Sequence, residues 1–188
     1  PRISPEPGVE YILTVTARTA EAEPLIPKGP ALAWAQLDLP VSRPPRIVPL
    51  EVMPSLRLEN SPRWVSVKGE GFELRITKLT GRLTSLVIHG RELVRTGLLP
   101  NFWRAPTDND LGNDMPQRTG LWQHAGRRQR IVSVEAAQPA PQVVQVRIDS
   151  LLPVGAASLE TTYTIYGSGD IVIDNSYRAG DDPVPEMP

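Results

Sequence analysis

Polar and apolar residues alternate with a period of two along much of this chain. In "FELRITKL" every second residue from Phe72 to Ile76 is apolar, and in "VVQVRIDS" the same holds from Val144 to Ile148. Successive side chains of a β-strand point to opposite faces, so this alternation predicts strands with one buried face. No segment of ten or more residues carries a clean helical stripe. The sequence therefore predicts an all-β protein built from antiparallel sheets.

Glycine-containing turns join the predicted strands into hairpins. Gly81 lies between two apolar runs, and Gly167 to Gly169 separates "LETTYTIY" from "DIVIDNSY". Glycine at such positions permits the positive φ that tight hairpins need. "VEYILTVTA" and "ALAWAQLDL" form a separate predicted pair, and Trp34 and Trp64 are expected in the core. In the rest of the chain we expect strands near residues 64–68, 72–78, 82–88, 143–149, 159–166 and 170–177.

Proline marks a boundary between two parts of the chain. The sequence has 21 prolines, and four of them lie within "SRPPRIVPLEVMP". Because proline fixes φ and restricts the preceding residue, residues 41–54 are interpreted as an extended linker. The chain starts with Pro1 and ends in "DDPVPEMP", which leads us to expect a piece of a longer polypeptide.

Composition excludes several classes of function. The 188 residues carry a formal net charge of -1, which gives no basic surface for nucleic acid or anionic lipid. No apolar run approaches the roughly 20 residues of a membrane span. The chain has no cysteine and two histidines, so thiolate and histidine-rich metal centres are not expected. The absence of cysteine is compatible with a reducing compartment, and we expect a cytoplasmic protein.

The segment "NFWRAPTDNDLGND", Asn101 to Asp114, concentrates the candidate chemistry. One hypothesis makes Asp108 and Asp110 a catalytic carboxylate pair, but two residues on one short backbone segment cannot easily lie on opposite sides of a bond to be cleaved. A second hypothesis is a calcium loop, which the sequence fits poorly because Gly112 takes a ligand position and Thr119 takes the place of the bidentate glutamate.

A third hypothesis makes this segment the wall of a binding cleft. Trp103 can pack or stack on a sugar, Arg104 can hold a carboxylate through two hydrogen bonds, and Asp and Asn side chains suit sugar hydroxyls. The alternative is that Arg104 pairs with Asp108 or Asp110 only to fix the shape of the loop. The candidates for cleft contact or loop anchoring are thus Trp103, Arg104, Asp108, Asn109 and Asp110, with no catalytic residue and no metal ligand assigned.

Three stretches resemble the long multi-domain bacterial β-galactosidases of glycoside hydrolase family 2. "ALAWAQLDLP" is similar to the last strand of their immunoglobulin-like domain. "WVSVKGEGFELRITKLTGRLTSLVIHGRELV" resembles the opening hairpins of the small-chain β-sandwich, which is related to galactose mutarotase, and "NFWRAPTDNDLG" resembles that domain's most specific signature.

The resemblance implies a domain plan. Residues 1–40 would be the C-terminal strands of an immunoglobulin-like sandwich, residues 41–54 the linker, and residues 55–188 the N-terminal part of a truncated mutarotase-like supersandwich. It also implies that Gly90 begins a loop that moves over the active site, whereas the sequence alone indicates only a turn residue there.

The resemblance implies a function for a larger enzyme and not for this chain by itself. Such an enzyme hydrolyses terminal β-D-galactosides with retention, using glutamates and Mg²⁺ and Na⁺ sites of a catalytic barrel that have no matching position here. The expected partners are the remaining domains, above all that barrel, together with a galactoside and further copies in a homo-oligomer. The alternative is a free-standing carbohydrate-binding β-sandwich module.

Overall fold

The fold is described from a computed structural model, which covers residues 3–22 and 24–188. These residues form two compact units, one extending to Pro49 and the other running from Leu50 to Pro188. In both units the regular structure is dominated by antiparallel strands, which confirms the predicted all-β class. Within the described part of the chain, no helix has the length and apolar character to cross a membrane.

The first unit contains one two-stranded antiparallel sheet. Strand β1 (Ile12–Arg18) pairs with β2 (Ala31–Asp38), as the sequence predicted. The expectation that Trp34 is a core residue is wrong, because 69% of its surface is exposed. The described residues of this unit provide no second layer, so both faces of the sheet meet solvent. The assignment of residues 1–40 to an immunoglobulin-like domain stays a prediction.

The second unit is a sandwich of two antiparallel sheets. The five-stranded sheet has the order β3-β4-β5-β6-β7, and the four-stranded sheet has the order β11-β10-β9-β8. All six strands predicted for this part of the chain are present. The strands are β3 (Arg57–Asn60), β4 (Trp64–Gly69), β5 (Phe72–Thr77), β6 (Arg82–Ile88), β7 (Arg91–Glu92), β8 (Arg130–Ala140), β9 (Val143–Leu151), β10 (Ser158–Tyr166) and β11 (Ile171–Arg178).

The main core lies between the two sheets and follows the predicted alternation. Removing these side chains from water is the main driving force for pairing the sheets. The buried residues of this core are Leu56, Val65, Val67, Phe72, Leu74, Ile76 and Leu83 on one side and Val144, Val146, Ile148, Tyr163 and Ile165 on the other.

Trp64 does not belong to this core, contrary to expectation. Val65 and Val67 of β4 are fully buried, and Trp64 lies one position before them, with 39% of its surface exposed. The period of two therefore turns its ring outward. The guanidinium carbon of Arg75 lies 5.5 Å from the ring centroid, so this cation covers part of the indole.

A second, smaller apolar cluster lies beside the connection between β7 and β8, and we call it the Trp122 cluster. The connection contains two five-residue helices, α1 (Asp108–Gly112) and α2 (Met115–Thr119), and a 3-10 turn (Gly120–His124). Half-buried Phe102, Trp103 and Val184 pack against the cluster, whose buried members are Trp122, Ala125, Leu152, Val154, Ala157 and Leu159.

Strand β8 forms one edge of the four-stranded sheet and is irregular. Its register against β9 shifts between Ile131 and Ser133 and again between Ala137 and Ala140. Pro139 lies in the second of these places, where its missing N–H costs least because β8 is the outermost strand of this sheet among the described residues. At the opposite edge, β11 pairs with β10 in an unbroken register from Ile171 to Arg178.

We expect Gly81→Ala to lower the free energy of unfolding by about 1–3 kcal/mol, because Gly81 has a φ of 63° and an added Cβ would lie 2.8 Å from Ile148 Cγ2. Urea unfolding followed by tryptophan fluorescence measures the difference. Gly120→Ala is the matched control, since its Cβ meets no atom within 4 Å. Equal stability of the two variants would contradict the packing described here.

Candidate functional site

The segment from Asn101 to Asp114 is anchored at its start by aromatic side chains. The ring centroids of Phe102 and Trp122 lie 5.8 Å apart, and Trp103 packs against the same cluster. The Asn101 side chain donates to the Trp103 carbonyl at 2.6 Å and accepts from the Trp103 N–H at 3.3 Å. Trp103, predicted as a packing or sugar-stacking residue, therefore holds the loop to the sandwich.

The centre of the segment is organised around the carboxylate of Asp110. Arg104 donates to both carboxylate oxygens, to Oδ1 at 2.7 Å and to Oδ2 through its other terminal nitrogen. Thr107 donates to Oδ2 through its backbone N–H at 2.7 Å and its hydroxyl at 2.8 Å. The Asp110 side chain is only 10% exposed. Of the two partners considered for Arg104, the structure pairs it with Asp110.

The same contacts begin helix α1. Thr107 is the N-cap residue, and its hydroxyl oxygen accepts from the Asp110 N–H at 3.4 Å, while the Asp110 carboxylate accepts from the Thr107 N–H. This reciprocal pair satisfies two backbone donors that the first turn of a helix leaves free. One aspartate thus caps the helix and fixes the arginine beside it.

These hydrogen bonds remove Asp110 from acid–base chemistry. The Arg104 guanidinium, and after it the N–H and hydroxyl of Thr107, hold the pKa of Asp110 far below its usual range. Asp110 in turn raises the pKa of Arg104. Three of these donors converge on Oδ2 and one binds Oδ1, and all of them stabilise the ionised carboxylate. Asp110 therefore stays ionised at neutral pH, which opposes a role as the general acid of a catalytic pair.

Asp108 and Asn109 have the opposite environment. Both are exposed in the first turn of α1, and their side chains make no hydrogen bond to any other residue that the structure describes. Asp108 offers acceptors, and the Asn109 amide offers both donors and acceptors. The structure therefore divides the five predicted residues: Trp103, Arg104 and Asp110 hold the loop, and Asp108 and Asn109 are free to contact another molecule.

Gly90 lies in the two-residue turn between β6 and β7, as the sequence indicated. Gly90 has a φ of 78° and the preceding His89 a φ of 47°, so both central residues take the positive φ of a type I′ turn. Next to it, the Glu92 carboxylate accepts from the N–H groups of Leu86 at 2.8 Å and Val94 at 2.9 Å. This contact closes the hairpin. Movement of this turn stays a prediction.

The described residues contain no cluster of three or more His, Cys, Asp or Glu side chains placed to hold a metal ion. Asp110, which lies in the segment considered for a calcium loop, is bound to Arg104 and Thr107. Asp114 adopts a left-handed backbone with a φ of 58° as the N-cap of α2. The geometry therefore gives the calcium hypothesis no ligand set.

Thr107 is the residue of the site that the sequence reasoning missed. The pattern "TDND" from Thr107 to Asp110 is a threonine followed three residues later by a carboxylate, which is the signature of a capping box. That signal predicts a helix start at Thr107. The same aspartates also stand at alternate positions, as calcium ligands do, and this spacing competes with the helix interpretation. Arg118 and Glu186, which meet across 68 positions, carry no comparable local signal.

Comparison with known proteins identifies the class to which this sandwich and its loop belong. The sequence model of the family described as "Beta galactosidase small chain" matches residues 68–188, which include the whole site. The chain therefore belongs to the β-galactosidase small-chain family, and the resemblance stated from its sequence is confirmed.

Individual relatives support the same conclusion. A β-galactosidase of Priestia megaterium is 31% identical over 95% of this chain, and one of Lactobacillus delbrueckii subsp. bulgaricus is 26% identical over 97%. A protein of Latilactobacillus sakei named β-galactosidase small subunit is 28% identical over 66% of this chain. The chain spans 17%, 18% and 45% of the lengths of these three relatives, respectively.

The Asp110 contacts should give the protein a specific pH dependence. The pKa of Asp110 is lowered in the folded state, so its contribution to stability is complete above its unfolded pKa of about 3.9 and is lost as the pH falls through the folded value. We expect Asp110→Asn to lower the free energy of unfolding at pH 7, by an amount that shrinks below about pH 4.

Urea unfolding of both proteins at several pH values measures this effect. Asp108→Asn is the matched control, because the Asp108 side chain is exposed, and its substitution should change stability less at every pH. A loss for Asp110→Asn that is the same at pH 7 and pH 3 would show that the carboxylate charge does not hold the loop.

Proposed function

We propose that this chain works as a non-catalytic segment of a β-galactosidase, called the parent enzyme below, which hydrolyses terminal β-D-galactosides with retention. Its relatives with the name β-galactosidase are several times longer, which supports a role within a larger enzyme. In this proposal the sandwich supports the catalytic barrel and its loop forms part of the substrate cleft. Oligomer formation, cytoplasmic location and the metal ions of the parent enzyme stay predictions.

This proposal rests on the different environments of Asp110 on the one hand and Asp108 and Asn109 on the other. Asp110, which has the strongly lowered pKa, accepts four hydrogen bonds from Arg104 and Thr107, so this carboxylate is engaged in holding the loop. Asp108 and Asn109 precede Asp110 in helix α1, whose first turn is capped by Thr107. The polar groups of these two side chains form no hydrogen bond with any described residue. Rigid backbone with free side-chain amide and carboxylate groups suits recognition of hydroxyl groups and not bond cleavage.

Arg104 acts through Asp110 in this arrangement. Its guanidinium is half exposed, yet both of its terminal nitrogens are directed to one carboxylate. A planar, two-pronged pair of this kind fixes orientation as well as position. We therefore assign Arg104 the role of holding α1 in place, so that Asp108 and Asn109 meet the galactoside or a residue of the barrel.

The alternative, a carbohydrate-binding module acting alone, requires an exposed aromatic platform. Within the sandwich, Trp64 is a candidate, since it is exposed on the outer face of the five-stranded sheet. Part of its ring already contacts the Arg75 guanidinium, which leaves less of the indole for a sugar. Retention of the isolated chain on a galactose matrix, lost in Trp64→Ala, would favour this alternative over the role in a cleft.

The isolated chain should hydrolyse no galactoside. The pair considered in the loop is not credible, because Asp108 and Asp110 share one short backbone segment and Asp110 is held ionised by Arg104 and Thr107. Purified chain is incubated with a chromogenic β-galactoside, with the parent enzyme as positive control. Turnover by the chain that disappears in Asp108→Asn would refute the non-catalytic assignment.

In the parent enzyme, Asp108→Ala and Asn109→Ala should raise KM about 3- to 30-fold while kcat changes less, because each variant removes binding contacts and no reacting group. Arg104→Ala should raise KM and also change kcat, since the whole loop loses its anchor. The pH–rate profile should keep its shape in all three.

Steady-state kinetics across a pH series provide these constants, and Arg127→Ala serves as the control because Arg127 is exposed and forms no ion pair with any described residue. A kcat that falls by several orders of magnitude in Asp108→Asn at unchanged stability would establish catalysis instead. Values of KM and kcat equal to those of the wild type in every variant would show that the loop is not part of the cleft.

A further inference from the structure

Arg118 of helix α2 connects three parts of the second unit. Its Nε donates to the Asn113 carbonyl at 3.0 Å, and one terminal nitrogen donates to the Asn113 side-chain oxygen at 3.1 Å. The other terminal nitrogen donates to the Glu186 carboxylate. One guanidinium therefore joins the end of α1 to a segment 68 positions further along the chain.

Asn113 transmits this contact to the first turn of α1. It is the C-cap residue of the helix, and its backbone N–H donates to the carbonyl of Asn109 at 3.1 Å. Arg118 thus holds the C-terminal end of α1, while Arg104 and Asp110 hold its N-terminal end. Asp108 and Asn109 lie between the two fixed ends.

The segment that carries Glu186 is itself fixed, although it has no regular secondary structure. The indole N–H of Trp122 donates to the Pro185 carbonyl at 3.1 Å, and Val184 packs against the Trp122 cluster. Gly155 lies so close that an added Cβ would be 2.3 Å from Val184 Cγ1. Glu186 is therefore presented to Arg118 from a packed backbone and not from a freely moving one.

We propose that Arg118, oriented by Glu186, is a positioning residue that fixes the direction in which α1 presents Asp108 and Asn109. This role rests on the function proposed above for the loop. The geometry requires arginine, because only a guanidinium offers donors at Nε and at both terminal nitrogens in one plane. Arg118 and Glu186 are 46% and 58% exposed, so the pair acts on the geometry of the loop more than on global stability.

The first test measures the loop directly in the parent enzyme. Hydrogen exchange of residues 107–114 should be several-fold faster in Arg118→Ala, because the amides of Leu111 and Asn113 lose protection when α1 opens. Arg118→Lys should lie between this variant and wild type, and Arg127→Ala should match wild type. Unchanged exchange of residues 107–114 in Arg118→Ala would overturn the proposal, whatever the enzyme's kinetics.

The second test is kinetic. Arg118→Ala and Glu186→Gln should raise KM about 3- to 10-fold with little change in kcat or in the pH–rate profile, as expected for misplaced binding groups. In a double-mutant cycle, Arg118→Ala should have little further effect on KM once Asp108 and Asn109 are both alanine, because its effect passes through them.

The outcomes separate this inference from the proposed function. If Asp108→Ala and Asn109→Ala leave KM unchanged, the role of the loop in the cleft is wrong. If those variants raise KM but Arg118→Ala does not, the loop is in the cleft and Arg118 does not position it. Full additivity of Arg118→Ala with the Asp108 and Asn109 changes would also overturn the inference, because the effects would then be independent.

Discussion

A helix of five residues is not stable in water by itself, since the cost of forming its first turn exceeds what so few hydrogen bonds return. Helices α1 and α2 are both of this length, and α1 carries the candidate residues Asp108, Asn109 and Asp110. Their geometry therefore depends on side chains that tie them to the sandwich. Asp110 binds the start of α1 to Arg104 and Thr107, and Phe102 and Trp103 pack this loop against the Trp122 cluster.

This dependence explains why one loop contains both engaged and free polar groups. Among the engaged groups, Arg104 and Asp110 are residue types that are common in catalytic sites, yet here they form hydrogen bonds with each other. The free ones, Asp108 and Asn109, are exposed, and their side chains form no hydrogen bond with any residue that the structure describes. The strongly lowered pKa of Asp110 therefore marks a structural contact in this loop, whereas in many enzymes a strongly shifted pKa marks the reacting group.

The sandwich could be predicted from the sequence because its strands obey a local rule. Alternation located Phe72 to Ile76 and Val144 to Ile148 correctly, and glycine located the turns. The same rule could not say which face of β2 or β4 has a second layer, so Trp34 and Trp64 were wrongly placed in the core. At the loop, the residue types suggested a pairing for Arg104 but left its partner open. The contact of Arg118 with Glu186 arises only when distant segments pack together.

The irregular edge of the four-stranded sheet has a consequence for how this protein meets other polypeptides. Two shifts of register and Pro139 interrupt the outer hydrogen-bonding groups of β8, so this edge is a poor template for another strand and guards against aggregation. The edge of β11 has no such interruption and carries the exposed Val172 and Ile173. Of the two edges of this sheet, β11 is therefore the better template for an added strand.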